Sequence, residues 1–381
     1  MKKALIIATV PSMIGQFNMS NIHILLKLGY IVHVGCDFSD ISVWNENKVN
    51  EFKGKLEALD IKCINIDFSR NMLKLKKHYS SYRKVKNLQN ENYDIVHCHT
   101  PIASAITRIA FRNTVCKMIY TAHGFHFFKG NNGVKNSIFK YIEKKLASYT
   151  DILITINKED YLAAKSFKLR KNGFVKYVPG VGIDLEKIDA ITGDKLELCK
   201  ELNITGDATL ILSVGELSKR KNHIVMIQAL TQLPENVHYL LCGIGSMQDE
   251  LMNICEKLKI QNRVHFLGYR TNVIYIMKSC DIFAFPSLQE GLPVALMEAM
   301  ACGMPCVASK IRGNIDLIIN EENGIIVEKN NSYFYVKGIS NLKNHEDMMN
   351  SVKEKAKKDS EKYSVIQINK IMTTIYGVQY E

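Results

Sequence analysis

Residues 281–308 read DIFAFPSLQEGLPVALMEAMACGMPCVA and decide the fold. Two short apolar runs, Asp281–Phe285 and Pro305–Ala308, flank a longer apolar segment that follows Gly291 and Pro293. Proline is favoured in the first helical turn, because its missing N–H would have no partner there. The stretch therefore predicts a strand, a helix and a second strand, which is the repeating unit of a parallel sheet.

The same alternation of short apolar runs and helical patterns extends over the whole chain. Buried strands joined by helical crossovers are typical of a parallel sheet that is covered on both faces. The strands expected in the first half are Ala4–Val10, Tyr30–Cys36, Cys63–Ile66, Asp94–Cys98, Met118–Ala122, Asp151–Ile156 and Val175–Val178. Those expected in the second half are Leu210–Val214, Val237–Cys242, Val264–Leu267, Asp281–Phe285, Pro305–Ala308 and Gly324–Val327.

The length of 381 residues favours two domains, since single cores rarely grow beyond ~250–300 residues. We predict an α/β protein with two Rossmann-like, doubly wound parallel-sheet domains, residues 1–180 and 185–361, that face a cleft. Pro179–Asp184 reads as a hinge between them, and a C-terminal helix at about 362–381 is expected to pack back on the first domain. Ligands of such sheets bind at the carboxyl ends of the strands.

Composition narrows the class of protein. The chain is 46% hydrophobic, and its ten cysteines include no Cys-x-x-Cys pair. That pattern is typical of a reducing cytoplasm and does not predict a structural zinc site. The first apolar run is short and ends at Pro11, so we interpret it as a strand and not as a signal peptide. No window resembles a membrane span.

Charge is distributed unevenly. The net charge is +12, and residues 1–180 hold 28 of the 50 basic and 13 of the 38 acidic residues, so this half carries +15 and the rest −3. A basic half attracts lipid head groups, nucleic acid or a diphosphate-bearing substrate. A generally lysine-rich composition is the alternative explanation.

The segment Leu73–Asn90 predicts a basic amphipathic helix. Such a helix can lie on an anionic membrane, or it can bury its apolar stripe on the sheet while its cations face water. The stripe comprises Leu75, Tyr79, Tyr82, Val85 and Leu88, and the cations are Lys74, Lys76, Lys77, Arg83, Lys84 and Lys86.

Two carboxylates mark the second domain. Glu290 precedes the predicted helix and Glu298 lies inside it, about two turns from its start. The free N–H groups and the positive dipole end of the helix would face Glu290 and Gly291, which makes an anion site. A phosphate there and sugar hydroxyls on Glu298 suggest a pocket for a nucleotide diphosphate sugar.

A basic turn follows the first strand of the same domain. Gly215 permits a tight turn after the strand, and Lys219, Arg220 and Lys221 crowd the start of the next helix. Cations and helix N–H groups at this place would converge on phosphate oxygens. The alternative is a solvated basic turn.

Histidines end two neighbouring strands of the first domain. His97 and His99 precede Pro101, and His123 and His126 follow the next strand. A metal site is conceivable, but no carboxylate or cysteine accompanies these histidines at a recognised ligand spacing. We expect His123 beside the reacting sugar, His97 in internal packing, and His99 on the acceptor side.

Gly15 is the second residue predicted on the acceptor side. It lies in the expected loop after the first strand, where a glycine lets the backbone approach a ligand.

Together these segments resemble the retaining, nucleotide-sugar-dependent glycosyltransferases of family 4, which have the two-Rossmann GT-B fold. The nearest subgroup looks like the bacterial capsule and exopolysaccharide enzymes. The matching segments are Asp94–Pro101, Thr121–Lys129, Pro179–Asp184, Ser213–His223, Val264–Tyr269 and Asp281–Asp316.

The resemblance implies roles for the residues around the two glutamates. Glu298 matches the second glutamate of the family's Glu-x7-Glu motif, expected on the donor ribose. Glu290 matches the first, expected near the hexose hydroxyls. The backbone of Gly291 and Leu292 should face the hexose and the diphosphate.

Further roles follow from the same resemblance. Lys221 matches the lysine that neutralises the departing diphosphate, and His123 matches the histidine near the transferred sugar. Tyr269 and Arg270 lie where the family's base-contacting loop begins.

The chain departs from the family at two places. An arginine usually stands where this chain has Glu216, so either Lys219 or Arg220 replaces its charge or phosphate binding is weaker. Of the glycine pair common after the first strand, Gly15 alone remains.

The resemblance implies transfer of a hexose or N-acetylhexosamine from a UDP-sugar to a lipid-linked (polyprenyl diphosphate) saccharide in capsule, exopolysaccharide or O-antigen synthesis. Configuration would be retained, with no metal, no cofactor beyond the nucleotide sugar, and no nucleic-acid partner. The protein would be cytoplasmic and peripheral on the inner face of an anionic membrane. A UDP-sugar epimerase of similar fold and a non-catalytic membrane-binding protein are the alternatives.

Overall fold

A computed structural model describes residues 1–328 and 330–377. The chain forms two compact units. Unit 1 comprises residues 1–181 and, of the later described residues, 366–377, whereas unit 2 comprises residues 182–365. The first boundary lies within the expected hinge segment Pro179–Asp184.

Unit 1 contains a seven-stranded parallel sheet in the order β3-β2-β1-β4-β5-β6-β7. The strand order reverses between β1 and β4, which pair directly, with Ile6 opposite His97. The strands are β1 Lys3–Ile7, β2 Ile31–Cys36, β3 Lys62–Asn65, β4 Ile95–His99, β5 Lys117–Ala122, β6 Ile152–Thr155 and β7 Phe174–Tyr177.

Helices cover both faces of this sheet. Alternate residues of β1 enter different cores, Ala4 and Ile6 on one face and Leu5 and Ile7 on the other, as the two-residue period of a strand requires. The helices are α1 Pro11–Phe17, α2 Met19–Lys27, α3 Glu46–Glu57, α4 Leu75–Asn87, α5 Pro101–Ala110, α6 Gly133–Ala147 and α7 Lys158–Ala164, with a 3-10 turn at Leu88–Glu91.

Unit 2 contains a six-stranded parallel sheet in the order β10-β9-β8-β11-β12-β13. Its order reverses between β8 and β11, where Ile211 lies opposite Ile282. The strands are β8 Thr209–Val214, β9 Val237–Cys242, β10 Val264–Gly268, β11 Ile282–Phe285, β12 Cys306–Ser309 and β13 Ile325–Val327. The predicted fold class, two doubly wound parallel sheets, is confirmed.

The helices of unit 2 connect these strands. They are α8 Leu185–Asp189, α9 Lys195–Glu201, α10 His223–Leu230, α11 Gln248–Lys257, α12 Val273–Lys278, α13 Val294–Ala301, α14 Asn314–Leu317, α15 Ser332–Asn344 and α16 Glu346–Ser360, with 3-10 turns at Gln261–Arg263 and Glu361–Tyr363. Strand β9, which lies between β10 and β8, sends Val237, Tyr239 and Leu241 into the core that α10 and α15 cover.

A last helix, α17 Val365–Gly377, belongs to unit 1. Its apolar face buries Ile368, Met372 and Ile375 in the same core as Ile6 and Ile152. The tyrosine hydroxyl of Tyr376 lies 2.7 Å from Nδ1 of His97 in β4.

Two predicted details of the helix that bears the glutamates were wrong. Pro293 is the residue that caps the helix, and α13 begins only at Val294. Glu298 is consequently the fifth helical residue, just over one turn from the start and not two, because a turn takes about 3.6 residues.

Candidate active site

The predicted donor residues Gly215 and Glu290 follow the two strands between which the order of sheet 2 reverses. Such a switch point opens a crevice at the carboxyl ends of the strands, where ligands of doubly wound sheets bind. Gly215 has φ +149, and a Cβ atom there would lie 3.0 Å from Cε of Lys221. The glycine thus gives the lysine side chain room to cross the end of β8.

Lys221 and Glu290 form an ion pair at this crevice. Lys221 Nζ lies 2.8 Å from Glu290 Oε1, and it also lies 4.6 Å from the ring centroid of Phe285. Lys221 is only 9% exposed. Burial lowers the pKa of Lys221, and the neighbouring Glu290 carboxylate opposes that shift. The carboxylate therefore helps to keep a buried ammonium group charged.

Arg220 shares the same carboxylate. Its Nη1 donates to Glu290 Oε1 at 2.8 Å and to the carbonyl oxygen of Gln289 at 3.0 Å. The N–H of Leu288 donates to the carbonyl oxygen of Arg220 at 2.8 Å, which joins the two loops through their backbones. Two cations around one carboxylate leave a net positive charge at the crevice.

Lys219 is separated from this group. Its side chain is exposed and lines a different cavity, of about 220 Å³, together with His223 and Glu250. The basic turn also precedes the helix instead of opening it, since α10 begins at His223 after Asn222, which has φ 55.

The loop that contains Gly291 and Leu292 is held by two residues of the matching segment Asp281–Asp316 that were not predicted as site residues. Nε of Arg312, a buried side chain, donates to the carbonyl oxygen of Glu290 at 3.2 Å. Gly313 has φ +83, and a Cβ atom on it would collide with the carbonyl oxygen of Gly291. The position of both residues after β12, the next strand of the sheet, was a usable signal.

Glu298 has an unusual environment for a carboxyl group. Burial raises the pKa of Glu298 to about 7, and Lys187 in α8 only partly opposes that shift. Within residues 1–328 and 330–377 no group hydrogen-bonds its carboxyl oxygens. Such a group can accept hydrogen bonds from a ligand.

The structure does not bring Tyr269 and Arg270 to the ion pair. They follow β10, an edge strand that β9 and β8 separate from β11. Arg270 Nη1 donates to Glu201 at 2.7 Å, and Tyr269 is exposed. The two residues still lie at the carboxyl ends of the strands, which is the edge that bears Gly215.

In unit 1, His99 and His123 meet as predicted for adjacent strand ends. His99 Nδ1 lies 3.1 Å from His123 Nε2. Burial lowers the pKa of His123 to about 4 and that of His99 well below its usual value. Both imidazoles are therefore neutral at pH 7, and one of the two facing nitrogens carries the shared proton.

His97 is fully engaged inside the unit. Its Nδ1 contacts the hydroxyl of Tyr376 at 2.7 Å, and its Nε2 contacts the hydroxyl of Thr121 at 2.8 Å. Its role is internal packing, as expected. His126 lies apart from this pair, with its ring 5.2 Å from that of Phe139. Among the described residues there is no group of three His, Cys, Asp or Glu side chains that could hold a metal ion.

A buried carboxylate holds the loop that begins at His123. Asp160 Oδ2 accepts from the N–H of Phe125 at 2.9 Å and from Nδ2 of Asn157 at 2.8 Å. Asn157 caps α7 by accepting from the N–H of Asp160. The sequence analysis did not select Asp160, although an Asn-x-x-Asp pattern before a helix predicts a cap.

A small cavity of about 30 Å³ adjoins the histidines. Nε2 of His99 and Oδ1 of Asn369 are buried and have no hydrogen-bond partner among residues 1–328 and 330–377, and both residues line this cavity. A space of that size can hold a water molecule.

The expectation for Gly15 was wrong. Gly15 lies within helix α1 and not in a loop, because the helix begins at Pro11 directly after the strand. A Cβ atom on Gly15 would collide with the ring of Trp44 and lie 3.2 Å from Phe52. The glycine allows close packing of α1 on α3 and not the approach of a ligand.

Helix α4 buries one part of the predicted apolar stripe and exposes another part. Val85 is buried, whereas Leu75 and Tyr79 in the first half of the stripe are 74% and 64% exposed. No helix of the described chain is long and apolar enough to cross a membrane.

Comparisons with known proteins agree with this architecture. HepE of Anabaena, whose structure was determined in complex with UDP and glucose, superposes with a TM-score of 0.78 at 22% sequence identity, over 99% of this chain and 100% of that one. Two doubly wound parallel-sheet domains in one chain are the architecture of the GT-B class.

Sequence comparison gives the family. Residues 194–359 match the model described as glycosyl transferases group 1, and residues 18–157 match glycosyl transferase 4-like. The chain belongs to this family of glycosyltransferases, as the sequence resemblance predicted.

Two relatives illustrate the match. EpsD of Bacillus subtilis is 29% identical over 99% of this chain and 96% of its own length. The UDP-Gal:alpha-D-GlcNAc-diphosphoundecaprenol alpha-1,3-galactosyltransferase of Escherichia coli is 32% identical over 70% of this chain and 69% of its own length.

Proposed function

We propose that this glycosyltransferase moves a hexose or N-acetylhexosamine from a UDP-sugar to a polyprenyl-diphosphate-linked saccharide, with retention of configuration and without a metal. The observation that best supports the proposal is the buried Lys221 paired with Glu290 at the switch point of unit 2. It combines a cation suited to a diphosphate with a carboxylate suited to sugar hydroxyls.

The leaving group needs positive charge where the anomeric C–O bond breaks. Negative charge grows on the β-phosphate, and Lys221 and Arg220 would stabilise it as it develops. In the family, an arginine usually stands at the position of Glu216. Arg220 would supply the positive charge that this chain lacks there. On donor binding, the other carboxylate oxygen of Glu290 would accept from hexose hydroxyls, while Lys221 and Arg220 stay beside Oε1 and face the diphosphate.

The other donor contacts follow the strand ends. Glu298 would accept hydrogen bonds from the ribose, and the backbone of Gly291 and Leu292 would face the hexose and the diphosphate. Gly215 would complete the phosphate-binding loop, while Tyr269 and Arg270 would border the base. The name of the E. coli relative, a UDP-Gal-dependent enzyme, supports UDP as the nucleotide.

A neutral His123 suits the reacting sugar. Because its pKa is lowered to about 4, it would act as a hydrogen-bond partner for a hydroxyl and not as a charged group. His99 would fix its orientation from the acceptor side. Retention would result from attack on the face from which the diphosphate leaves.

Two observations support a membrane-bound, lipid-linked acceptor: the name of the E. coli relative and the exposed cations of α4. The E. coli enzyme is named for a diphosphoundecaprenol-linked sugar. Exposed cations and apolar side chains on α4 would attach unit 1 to the inner face of an anionic cytoplasmic membrane, at about 1 kcal/mol for each basic residue near the surface.

The decisive experiment measures transfer directly. The full chain is incubated with candidate UDP-sugars, a polyprenyl-diphosphate saccharide and EDTA, and release of UDP and the anomeric form of the product are followed. Retained product in EDTA supports the proposal. Isomerised sugar without release of UDP would indicate an epimerase, and an inverted product or complete loss with EDTA would refute the mechanism.

A further inference from the structure

Unit 1 contains a large cavity that the histidine site does not use. It measures about 530 Å³ and lies between α5, α6 and residues 70–78. Thr9 and Thr100, which follow β1 and β4, form part of its wall. Since Thr100 directly follows His99, the cavity adjoins the edge of the sheet that bears the histidines.

The wall of the cavity is largely apolar. Ile102 and Ile106 of α5 and Phe139, Ile142 and Leu146 of α6 contribute to it. Its volume falls in the range of about 300–1,000 Å³ that small-molecule sites occupy. A site of this kind binds an apolar group and not a sugar.

The cavity wall also contains charged and polar side chains. Arg70, His78, His126 and Glu143 line it, and Glu143 forms an ion pair with Arg108 at 3.0 Å. Nδ1 of His78 is buried without a hydrogen-bond partner among the described residues. The guanidinium group of Arg70 approaches a carboxylate only at 4.0 Å, from Asp40, and its side chain is half exposed. Nε2 of His78 donates to the carbonyl oxygen of Asn71 at 3.1 Å, so its unpartnered Nδ1 is an acceptor, and Arg70 is the side chain available to an anion.

Exposed apolar side chains continue outward from the cavity. Met72 and Ile142 line it and are also exposed, by 55% and 43%. On the same two elements, Leu73 and Tyr141 are exposed as well. Exposed apolar side chains thus extend from the cavity wall to Leu73, which lies two residues before the start of α4.

We propose that this cavity binds the first isoprene units of the polyprenyl diphosphate acceptor, with the diphosphate on Arg70. The inference rests on the proposed function, because that function supplies a ligand with an apolar chain, a diphosphate and a sugar in series. The wall offers groups for such a ligand: apolar side chains, the cation of Arg70, and Thr100, which follows His99.

The cavity positions the chain more than it attracts it. A polyprenyl chain in a bilayer is already in hydrocarbon, so moving it into an apolar pocket changes its free energy little. A short chain dissolved in water gains the whole hydrophobic contribution of each buried methylene. Soluble farnesyl diphosphate is therefore the informative probe. Inorganic diphosphate, which has no prenyl chain, is its control.

The test is calorimetric titration of the full chain, without donor, with farnesyl diphosphate and with inorganic diphosphate. Ala105→Phe fills the cavity from α5, and Val115→Phe adds the same ring at a fully exposed position outside it. We expect Ala105→Phe to weaken farnesyl diphosphate by at least about tenfold and inorganic diphosphate by less than about twofold. Val115→Phe should leave both unchanged.

Two further variants guard against a folding defect. Ile142→Asn makes the half-exposed part of the wall polar and should weaken farnesyl diphosphate alone. Arg70→Ala should weaken both ligands. The proposal is overturned if farnesyl diphosphate binds no better than inorganic diphosphate, or if Ala105→Phe and Ile142→Asn, with wild-type melting temperatures, bind it like the wild type.

The outcome is separable from that of the transferase proposal. If sugar is transferred to a water-soluble acceptor and the length of the prenyl chain has no effect, the cavity proposal is wrong and the transferase proposal stands. If farnesyl diphosphate binds and no sugar is transferred, the cavity proposal stands and the transferase proposal is wrong.

Discussion

Nζ of Lys221 lies 2.8 Å from Oε1 of Glu290, at the carboxyl ends of β8 and β11. The strand order of the unit 2 sheet reverses between these two strands. Arg220 reaches the same oxygen atom at 2.8 Å. The carboxylate holds both cations in place before any ligand arrives. This arrangement is preorganised, because the groups that would meet a diphosphate need not be gathered during the reaction.

Replacing Lys221 by alanine tests the leaving-group role. We expect Lys221→Ala to lower kcat for UDP release by about 10²–10³-fold, the loss typical of a preorganised charge-stabilising group. The exposed Lys219→Ala is the matched control and should lose far less. An equal loss in both variants, measured as initial rates, would contradict a specific role for the buried lysine.

Glu290→Gln addresses the ion pair in the absence of ligand. Lys221 and Arg220 would then repel each other without a carboxylate between them, so the pKa of Lys221 should fall further. We expect the free energy of unfolding to drop by about 1–3 kcal/mol at pH 7. Urea denaturation measures it, and Glu216→Gln, at an exposed glutamate in the neighbouring loop, should change stability little.

Glu298 should make stability depend on pH. Its pKa is raised to about 7 in the folded chain from 4.5, so the unfolded chain releases its proton first as pH rises. Stability from the protonated carboxyl group is complete below pH 4.5 and is lost as the pH rises through about 7.

The variant Glu298→Gln cannot ionise and checks that dependence. It should be more stable than the wild type by about 2 kcal/mol at pH 8, with the difference shrinking toward pH 4.5. Thermal melting at the two pH values measures the effect. A constant difference would show that ionisation of Glu298 is not responsible.

The histidines of unit 1 should act in the opposite direction. The pKa values of His97 and His123 are lowered to about 3 and about 4. Below pH 6.5 these histidines therefore bind protons in the unfolded chain and not in the folded chain. Stability from the neutral imidazoles is present above pH 6.5 and is lost as the pH falls toward 4.

Urea denaturation of unit 1 between pH 7 and pH 5 measures this loss. Tryptophan fluorescence reports on unit 1, which contains the single tryptophan, Trp44. His123→Asn should reduce the pH dependence, since it removes one of the titrating groups. A slope identical to that of the wild type would exclude His123 as a contributor.

Membrane attachment predicts a salt-sensitive interaction with vesicles. Reversing the charge of four exposed cations on α4 should weaken binding to anionic vesicles by at least about a hundredfold. The reversed residues are Lys76, Lys77, Arg83 and Lys84. A control with the same change in net charge reverses exposed lysines of unit 2, namely Lys200, Lys257, Lys259 and Lys358. Equal losses in both variants would indicate attraction by net charge alone.

The two sheets could be predicted from the sequence because each strand is a short apolar run and each crossover has a helical period. Residues in the loops that follow strands, such as Lys221, Glu290 and His123, could be selected for the same reason. Parallel strands bring their carboxyl ends to one edge whatever the details of packing. The approach of Lys221 to Glu290 is a consequence of that topology.

The misses have a different physical origin. Arg312 and Gly313 act on the backbone of the glutamate loop, so their side-chain chemistry did not reveal them. Gly15 resembled a ligand-binding glycine because its neighbour across the helix interface, Trp44, is distant in sequence. The large cavity is a gap between two helices, and residues such as Ile106 look like ordinary core positions until α6 is in place.

The return of the last helix to unit 1 has a consequence for synthesis of the protein on the ribosome. Tyr376 supplies the hydroxyl partner of Nδ1 of His97, although the two residues lie 279 positions apart in the chain. While residues 182–365 are being translated, the first sheet has emerged with one flank bare. Its apolar residues and the buried imidazole then remain open to chaperones or to other nascent chains, and a stop codon before α17 would leave that flank bare for good.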